Sequence, residues 1–149
     1  MKNKNILNES LLKYLIKNKI ATIDELKSIL NTESRMTIFR RLSELEYISS
    51  CSHSGKYYSL ERIARYNRYG LWFFNSVLFS KYGTLKNTLA MLISNSLKGY
   101  TSSELNKITQ SKVDDALFEL YKLKYVNRKK YQEFIFIFLK ILIMKKSKS

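Results

Sequence analysis

Leu11, Leu12, Leu15 and Ile16 stand at the spacing of one helical face, and this periodicity predicts an amphipathic helix over residues 8–19, with Asn8 or Ser10 as its N-cap. Ile20 and Ala21 read as a short extended link into Thr22-Ile-Asp-Glu25. That string is a capping box, in which the Thr22 hydroxyl accepts from the Glu25 amide while the Glu25 carboxylate reaches back. The helix it opens carries Leu26, Ile29 and Leu30. Residues 31–34 make a turn, and Ser34 is the natural N-cap of a third helix. Ile38, Leu42 and Leu45, at i, i+4 and i+7, are its buried stripe. With those three inward, Arg35, Thr37, Arg40 and Arg41 are expected to face largely toward solvent. Residues 47–51 and 57–60 then read as two strands around a hairpin tip, Ser-His-Ser-Gly-Lys at 52–56.

The order recurs. Thr84 opens a helix bearing Leu85, Leu89, Leu92 and Ile93 that is expected to end at Gly99, and Thr101-Ser-Ser-Glu104 is a second capping box. Ser111 is expected to start a further helix, 111–122, with Val113, Leu117 and Leu120 as its stripe. Tyr125 and Val126, a basic tip at 127–130 and an apolar strand over 131–138 suggest a second hairpin. The chain therefore divides by repeat into 1–61, 84–140 and a basic tail at 141–149. Between the repeats, 62–83 reads as a basic and aromatic linker. Arg62, Arg65 and Arg68 fall at every third residue, as in a short basic helix, and the aromatics, with Asn75-Ser76 as a turn, are expected to pack between the two units.

Charge changes this picture. The net charge of +15 over 149 residues points to an anionic polymer as partner, and no acidic residue occurs in the 42 residues from Arg62 to Ser103. Six of the seven arginines fall between Arg35 and Arg68, whereas lysine is spread throughout. Arginine's planar fork grips phosphate or a guanine edge in two places, which lysine cannot do. The two third helices also differ. Over 34–45, three arginines against Glu44 give +2; over 111–122, Lys112 and Lys122 against Asp114, Asp115 and Glu119 give −1.

Helix, link, helix, turn, helix and hairpin, with TIFRRLSELEYI followed by GKYYSL, resembles the winged helix-turn-helix family over residues 6–60. The fold class expected is mainly α with small β-hairpin wings, α+β, as two winged helix-turn-helix units in tandem. The resemblance implies that helix 34–45 enters the major groove of double-stranded DNA and that the wing at 54–56 lies along the backbone or minor groove. It assigns Arg35, Arg40 and Arg41 to base or phosphate contact, Ser34 and Thr37 to phosphate positioning, and Lys56 to the wing. Arg62, Arg65 and Arg68, with Arg128, Lys129 and Lys130 on the second wing, are expected to add phosphate contacts. The fuller pattern YYSL, GLW, FSKYGTLKNT and GYTSSEL is similar to uncharacterised tandem winged-helix proteins of bacterial mobile elements, which implies an accessory or regulatory role. Helix 111–122, being acidic, is expected to meet protein: a second copy or a partner.

No catalytic chemistry stands out. One His, one Cys and three Asp do not supply clustered metal ligands, and Cys51 and His53 lack a second pair of ligands. Asp24 belongs to a capping helix and Asp114 and Asp115 are adjacent, a poor basis for a two-metal centre. Neither an enzyme nor a cofactor or metal is expected. The single cysteine forbids an internal disulfide, and MKNKNILNES lacks the apolar core of a signal peptide, so a cytoplasmic location is expected. FIFIFLKILIM, 134–144, is too short to span a bilayer, which needs about 20 residues. It reads as a buried strand in its first half, with a terminal helix or a membrane-surface anchor as alternatives. Two rival functions remain open: a scaffold whose winged helices bind only protein, and an RNA or single-stranded DNA binder that stacks bases on its aromatic side chains.

Overall fold

Both capping boxes form. In the computed structural model, which describes residues 4–133 and 135–141, the Thr22 hydroxyl accepts from the Glu25 amide and Glu25 Oε1 accepts from the Thr22 amide at 2.8 Å. Thr101 and Glu104 repeat the arrangement. Each box satisfies two amides that the first helical turn leaves open, and a cap of this kind is worth about 1 kcal/mol.

The chain divides into two units, 1–83 and 84–149, in a mixed α+β fold. The first unit runs α1 (Lys4–Asn18), β1 (Ala21–Thr22), α2 (Ile23–Leu30), α3 (Arg35–Glu44), β2 (Tyr47–Ser49) and β3 (Tyr57–Leu60). β3 pairs antiparallel with both short strands, giving the sheet order β1-β3-β2. Because α1 begins at Lys4, Asn8 and Ser10 are interior residues and not its cap. Asn8 Nδ2 instead donates to Glu44 Oε1 at 2.9 Å, tying α1 to α3. Leu11, Leu15, Leu26, Ile38, Leu42 and Leu60 are fully buried between these helices and the sheet.

Residues 62–83, expected to be a linker, complete this unit. No basic helix forms there. Asn67 Oδ1 accepts from the amides of Tyr69 and Leu71, and the Asn67 amide bonds the Leu71 carbonyl, a local turn that competes with helix. The chain then makes a hairpin, β4 (Leu71–Phe74) and β5 (Val77–Ser80), across Asn75 and Ser76, which both take positive φ as a tight hairpin turn requires. Trp72, Val77 and Phe79 join the first unit's core, with the Trp72 and Phe79 rings 5.1 Å apart.

The second unit runs α4 (Leu85–Ser94), β6 (Tyr100–Thr101), α5 (Ser102–Thr109), α6 (Asp114–Lys122), β7 (Val126–Gln132) and β8 (Ile135–Lys140), with sheet order β6-β8-β7. α4 stops at Ser94, before the expected Gly99. Gly99 instead lies against β8 with φ +79, where an added Cβ would stand 2.6 Å from the Phe138 carbonyl. α6 starts three residues after Ser111, because the Ser111 hydroxyl is bonded to the Thr109 carbonyl and Asn106 Oδ1 takes the Val113 amide. Asp114 and Asp115 then occupy the first turn, where the helix dipole favours carboxylates. Helix starts in the two units stand 79 residues apart, 23 to 102 and 35 to 114.

Residues 127–130 are not the hairpin tip. They lie within β7, paired with 136–139, and the turn follows Gln132. β8 is the expected strand, although only Phe138 in it is buried. Phe134 and residues 142–149, which include most of the predicted basic tail, lie outside the described residues. No described helix is long and apolar enough to cross a membrane.

Phe79, fully buried, distinguishes a structural hairpin from a linker. Phe79→Ala should cost about 3–5 kcal/mol, as for other large core truncations, measured by denaturant unfolding. A linker aromatic would cost within about 0.5 kcal/mol.

Candidate functional site

The third helix of the first unit carries the densest set of candidate residues, and its roll decides their fate. α3 packs on α1 and α2 through Ile38 and Leu42, both fully buried. Its start is fixed by Ser34, whose Oγ accepts from the Thr37 amide at 3.1 Å and from the Thr37 hydroxyl at 3.0 Å. Ser34 is exposed and Thr37 half-buried, and each spends its hydroxyl on the cap.

Arg35, the first helical residue, is exposed and lies 5.5 Å from the centroid of the Phe39 ring. Phe39 is itself packed against Tyr47 and Tyr58, at 5.8 and 5.5 Å, so a fixed aromatic surface holds the guanidinium. Arg40 is exposed, with no hydrogen-bond or ion-pair partner among the described residues. Met36, which the sequence reading passed over, lies on the same side and is 73% exposed. Its signal was its place four residues before Arg40.

Arg41 is drawn inward. It was expected to face solvent, but its side chain is 8% exposed and Nη2 donates to Glu44 Oε2 at 3.2 Å. At about 100° per residue, Arg41 lies only roughly 60° around the helix from Ile38. The buried face is wider than the three-residue stripe that predicted it. Glu44 thus serves Arg41 and Asn8 together, closing a polar chain from α1 to α3. The equivalent position of the second unit, 79 residues on, is Leu120, also buried.

Lys56 is exposed at the end of the connection between β2 and β3. That connection is anchored to β5: the Cys51 amide donates to the Leu78 carbonyl at 2.8 Å, and the Leu78 amide donates to Ser52 Oγ at 2.9 Å. His53 Nδ1 lies 2.7 Å from Ser52 Oγ, and its ring stands edge-on to Tyr57. Burial pushes the Cys51 thiol up to about 11 from 9.0. It is thereby removed from thiolate chemistry at neutral pH.

Arg62 and Arg65 are exposed and border a cavity of about 250 Å³ together with Lys19, Ile16, Trp72 and Phe74. Among the described residues neither arginine has a carboxylate or hydrogen-bond partner. Glu61, a conceivable partner, accepts from the Tyr66 hydroxyl at 3.0 Å. With burial as the larger cause, this bond holds the Tyr66 phenol well above its ordinary value. Arg68 is exposed and donates to the Tyr69 hydroxyl at 2.8 Å.

In the second unit Lys129 and Lys130 are exposed on β7. Arg128, also expected at a basic tip, is instead held between the Tyr121 and Phe136 rings, 4.2 Å from each centroid. Alternation along β7 puts Arg128 on the same side as buried Val126. Among the described residues no group of three or more His, Cys, Asp or Glu could hold a metal ion.

Compared with protein-family models, with the curated proteins and with the solved structures, the chain matches none.

The raised Cys51 thiol has a direct consequence. Alkylation by iodoacetamide at pH 8 should be roughly tenfold slower than for an unhindered thiol of pKa 9.0, the smaller thiolate fraction being partly offset by a more nucleophilic thiolate, with the rate still climbing toward pH 11. A pH-rate midpoint near 9 would contradict the burial.

Proposed function

We propose that each unit is a winged helix and that the first binds double-stranded DNA, with α3 in the major groove and the β2–β3 connection as its wing. In this reading the chain is a transcriptional regulator or an accessory factor of a mobile element. The carrying observation is a set of exposed cations on one unit that lack carboxylate partners among the described residues: Arg40, Arg62 and Arg65, with Arg35 held on Phe39. Unneutralised guanidinium groups repel one another and gain most from phosphate. The sheet order β1-β3-β2 behind three helices supports the winged-helix reading.

Arg35 and Arg40 are the base-contacting candidates, and Met36 suits a thymine methyl group. Arg41 leaves the contact set and becomes a brace. Lys56, Arg62, Arg65 and Arg68 contact phosphate, as do Lys129 and Lys130 of the second unit. The second unit's α6, with Asp114 and Asp115 at its start, faces a protein. That half of the reading is favoured by the exposed Phe118, Leu123, Tyr125 and Tyr131 of the second unit. Affinity measured at two salt concentrations for duplex DNA, single-stranded DNA and RNA of one sequence tests the function. Duplex should bind best, and a preference for either single-stranded polymer, or no binding at all, overturns it.

Two sets of variants test the residue roles. Arg35→Ala with Arg40→Ala should keep the melting temperature and lose about 1 to 3 kcal/mol for each base contact. Arg41→Leu, which copies Leu120, should leave duplex affinity unchanged and cost under about 1.5 kcal/mol of stability. Arg62→Gln, Arg65→Gln and Arg68→Gln together should weaken specific and nonspecific duplexes alike. They should also make the slope of log affinity against log salt shallower by roughly 2 to 3, at about 0.9 per phosphate. An unchanged slope with a lowered melting temperature assigns those arginines to bracing.

A further inference from the structure

Arg128 presents a problem that Arg41 does not. Arg41 is buried and neutralised by Glu44, whereas Arg128, half-buried, has no carboxylate or hydrogen-bond partner among the described residues. Its Nε is buried and unsatisfied. Its faces are covered by Tyr121 and Phe136 at 4.2 Å, with Phe118 at 6.0 Å. Stacking on rings compensates part of the lost hydration, yet the edge of the fork, where an oxyanion binds in two places, is left without a counter-charge. A cation kept in a fixed plane without an anion is the arrangement of an anion site.

The cavity beside it belongs wholly to the second unit and measures about 480 Å³. Ser102 and Ser103, the first two residues of α5, form one wall. The Thr101–Glu104 capping box satisfies the Thr101 and Glu104 amides, and Ser102 and Ser103 are the first two helical residues after the cap. The start of α5 adds the positive end of a helix dipole to the attraction for an anion. The lining also carries large apolar side chains, Phe118, Tyr131 and Ile135, all exposed. Asp114 lies on the lining as well, unpaired with Arg128, and disfavours a polyanion.

We infer that this cavity binds a single carboxylate carried next to an apolar side chain on a segment of a partner protein. The stacked Arg128 fork takes the carboxylate beside the start of α5, and Phe118, Tyr131 and Ile135 take the apolar group. Both faces of Arg128 are already occupied by rings, so a nucleobase cannot stack on it. The apolar side chains give a duplex phosphate nothing to contact. The inference rests on the reading of α6 as a protein-facing helix and is independent of DNA binding by the first unit.

Titrating the full chain with N-acetylphenylalanine, while following the Arg128 Nε–H and the Ser102 and Ser103 amides by NMR, tests it. Saturable shifts are expected, with a Kd on the order of 1 mM for a probe of this size. N-acetylphenylalaninamide, which lacks the charge, should bind at least about tenfold more weakly. Arg128→Met, which keeps the packing, should abolish the difference between the two probes, and Arg128→Lys should restore only part of it. If Arg128→Met does not fold, the paired probes on the parent chain decide alone. Equal binding of acid and amide, or no shift at these three groups, overturns the inference. Tighter binding of phenyl phosphate than of the carboxylate also overturns it and makes the site one for nucleic acid. Duplex affinity measured on the same sample separates the two readings: duplex binding with a silent cavity defeats this inference alone, and the converse defeats only the DNA reading.

Discussion

Burial of Ile38 and Leu42 against α1 and α2 sets the roll of α3, and that roll sends each arginine on the helix to a different environment. Two residues back from the contact line, Arg40 is thrown outward. One residue before Leu42, Arg41 is drawn in and must find an acid, which Glu44 supplies. Arg35, a turn earlier, reaches Phe39, whose ring is held by Tyr47 and Tyr58 of the sheet. A helix of one composition thus yields one brace and two outward cations. The same packing carries the polar chain from Asn8 through Glu44 to Arg41, so a change in the core would reach the exposed face.

The second unit uses the same order of elements for different chemistry. Leu120 stands where Arg41 does, and Asp114 where Arg35 does, so the second third helix opens with carboxylates instead of guanidinium. Its hairpin is longer, and its arginine turns inward onto rings. Two units built alike therefore carry different surfaces: exposed arginines on the first, and exposed apolar side chains around the half-buried Arg128 on the second. Under the proposed function, the first unit holds a polyanion and the second a protein.

The parts of the fold legible in the sequence are those set by neighbours within four residues. Thr22-Ile-Asp-Glu25 and Thr101-Ser-Ser-Glu104 form the boxes their letters dictate, Ser34 caps α3, and Asn75-Ser76 turns a hairpin. The rest depended on competition that local spacing does not display. Ser111 has the letter of a cap, but Thr109 and Asn106 claim the surrounding hydrogen bonds. Arg62, Arg65 and Arg68 have a helical rhythm, but Asn67 builds a turn among them. Residues 127–130 look like a basic tip by charge, whereas the strand partner that extends β7 through them is Ile135–Lys140, set by pairing. For the candidate site, Arg35, Arg40, Lys56, Arg62 and Arg65 could be read as exposed from position alone. Arg41 could not, because a stripe of three apolar residues understates how much of a helix a core covers.

The central claim is that the first unit meets duplex DNA through α3, the β2–β3 connection and the arginines that follow it. Adding a short duplex to the isotopically labelled full chain, and mapping the perturbed amides and arginine Nε–H groups, tests this most directly. Perturbations concentrated at 34–40, 52–57 and 61–69, with Arg41 and the α6 amides little changed, are the predicted result. A map centred on α6 and the Arg128 cavity, with α3 silent, would contradict it.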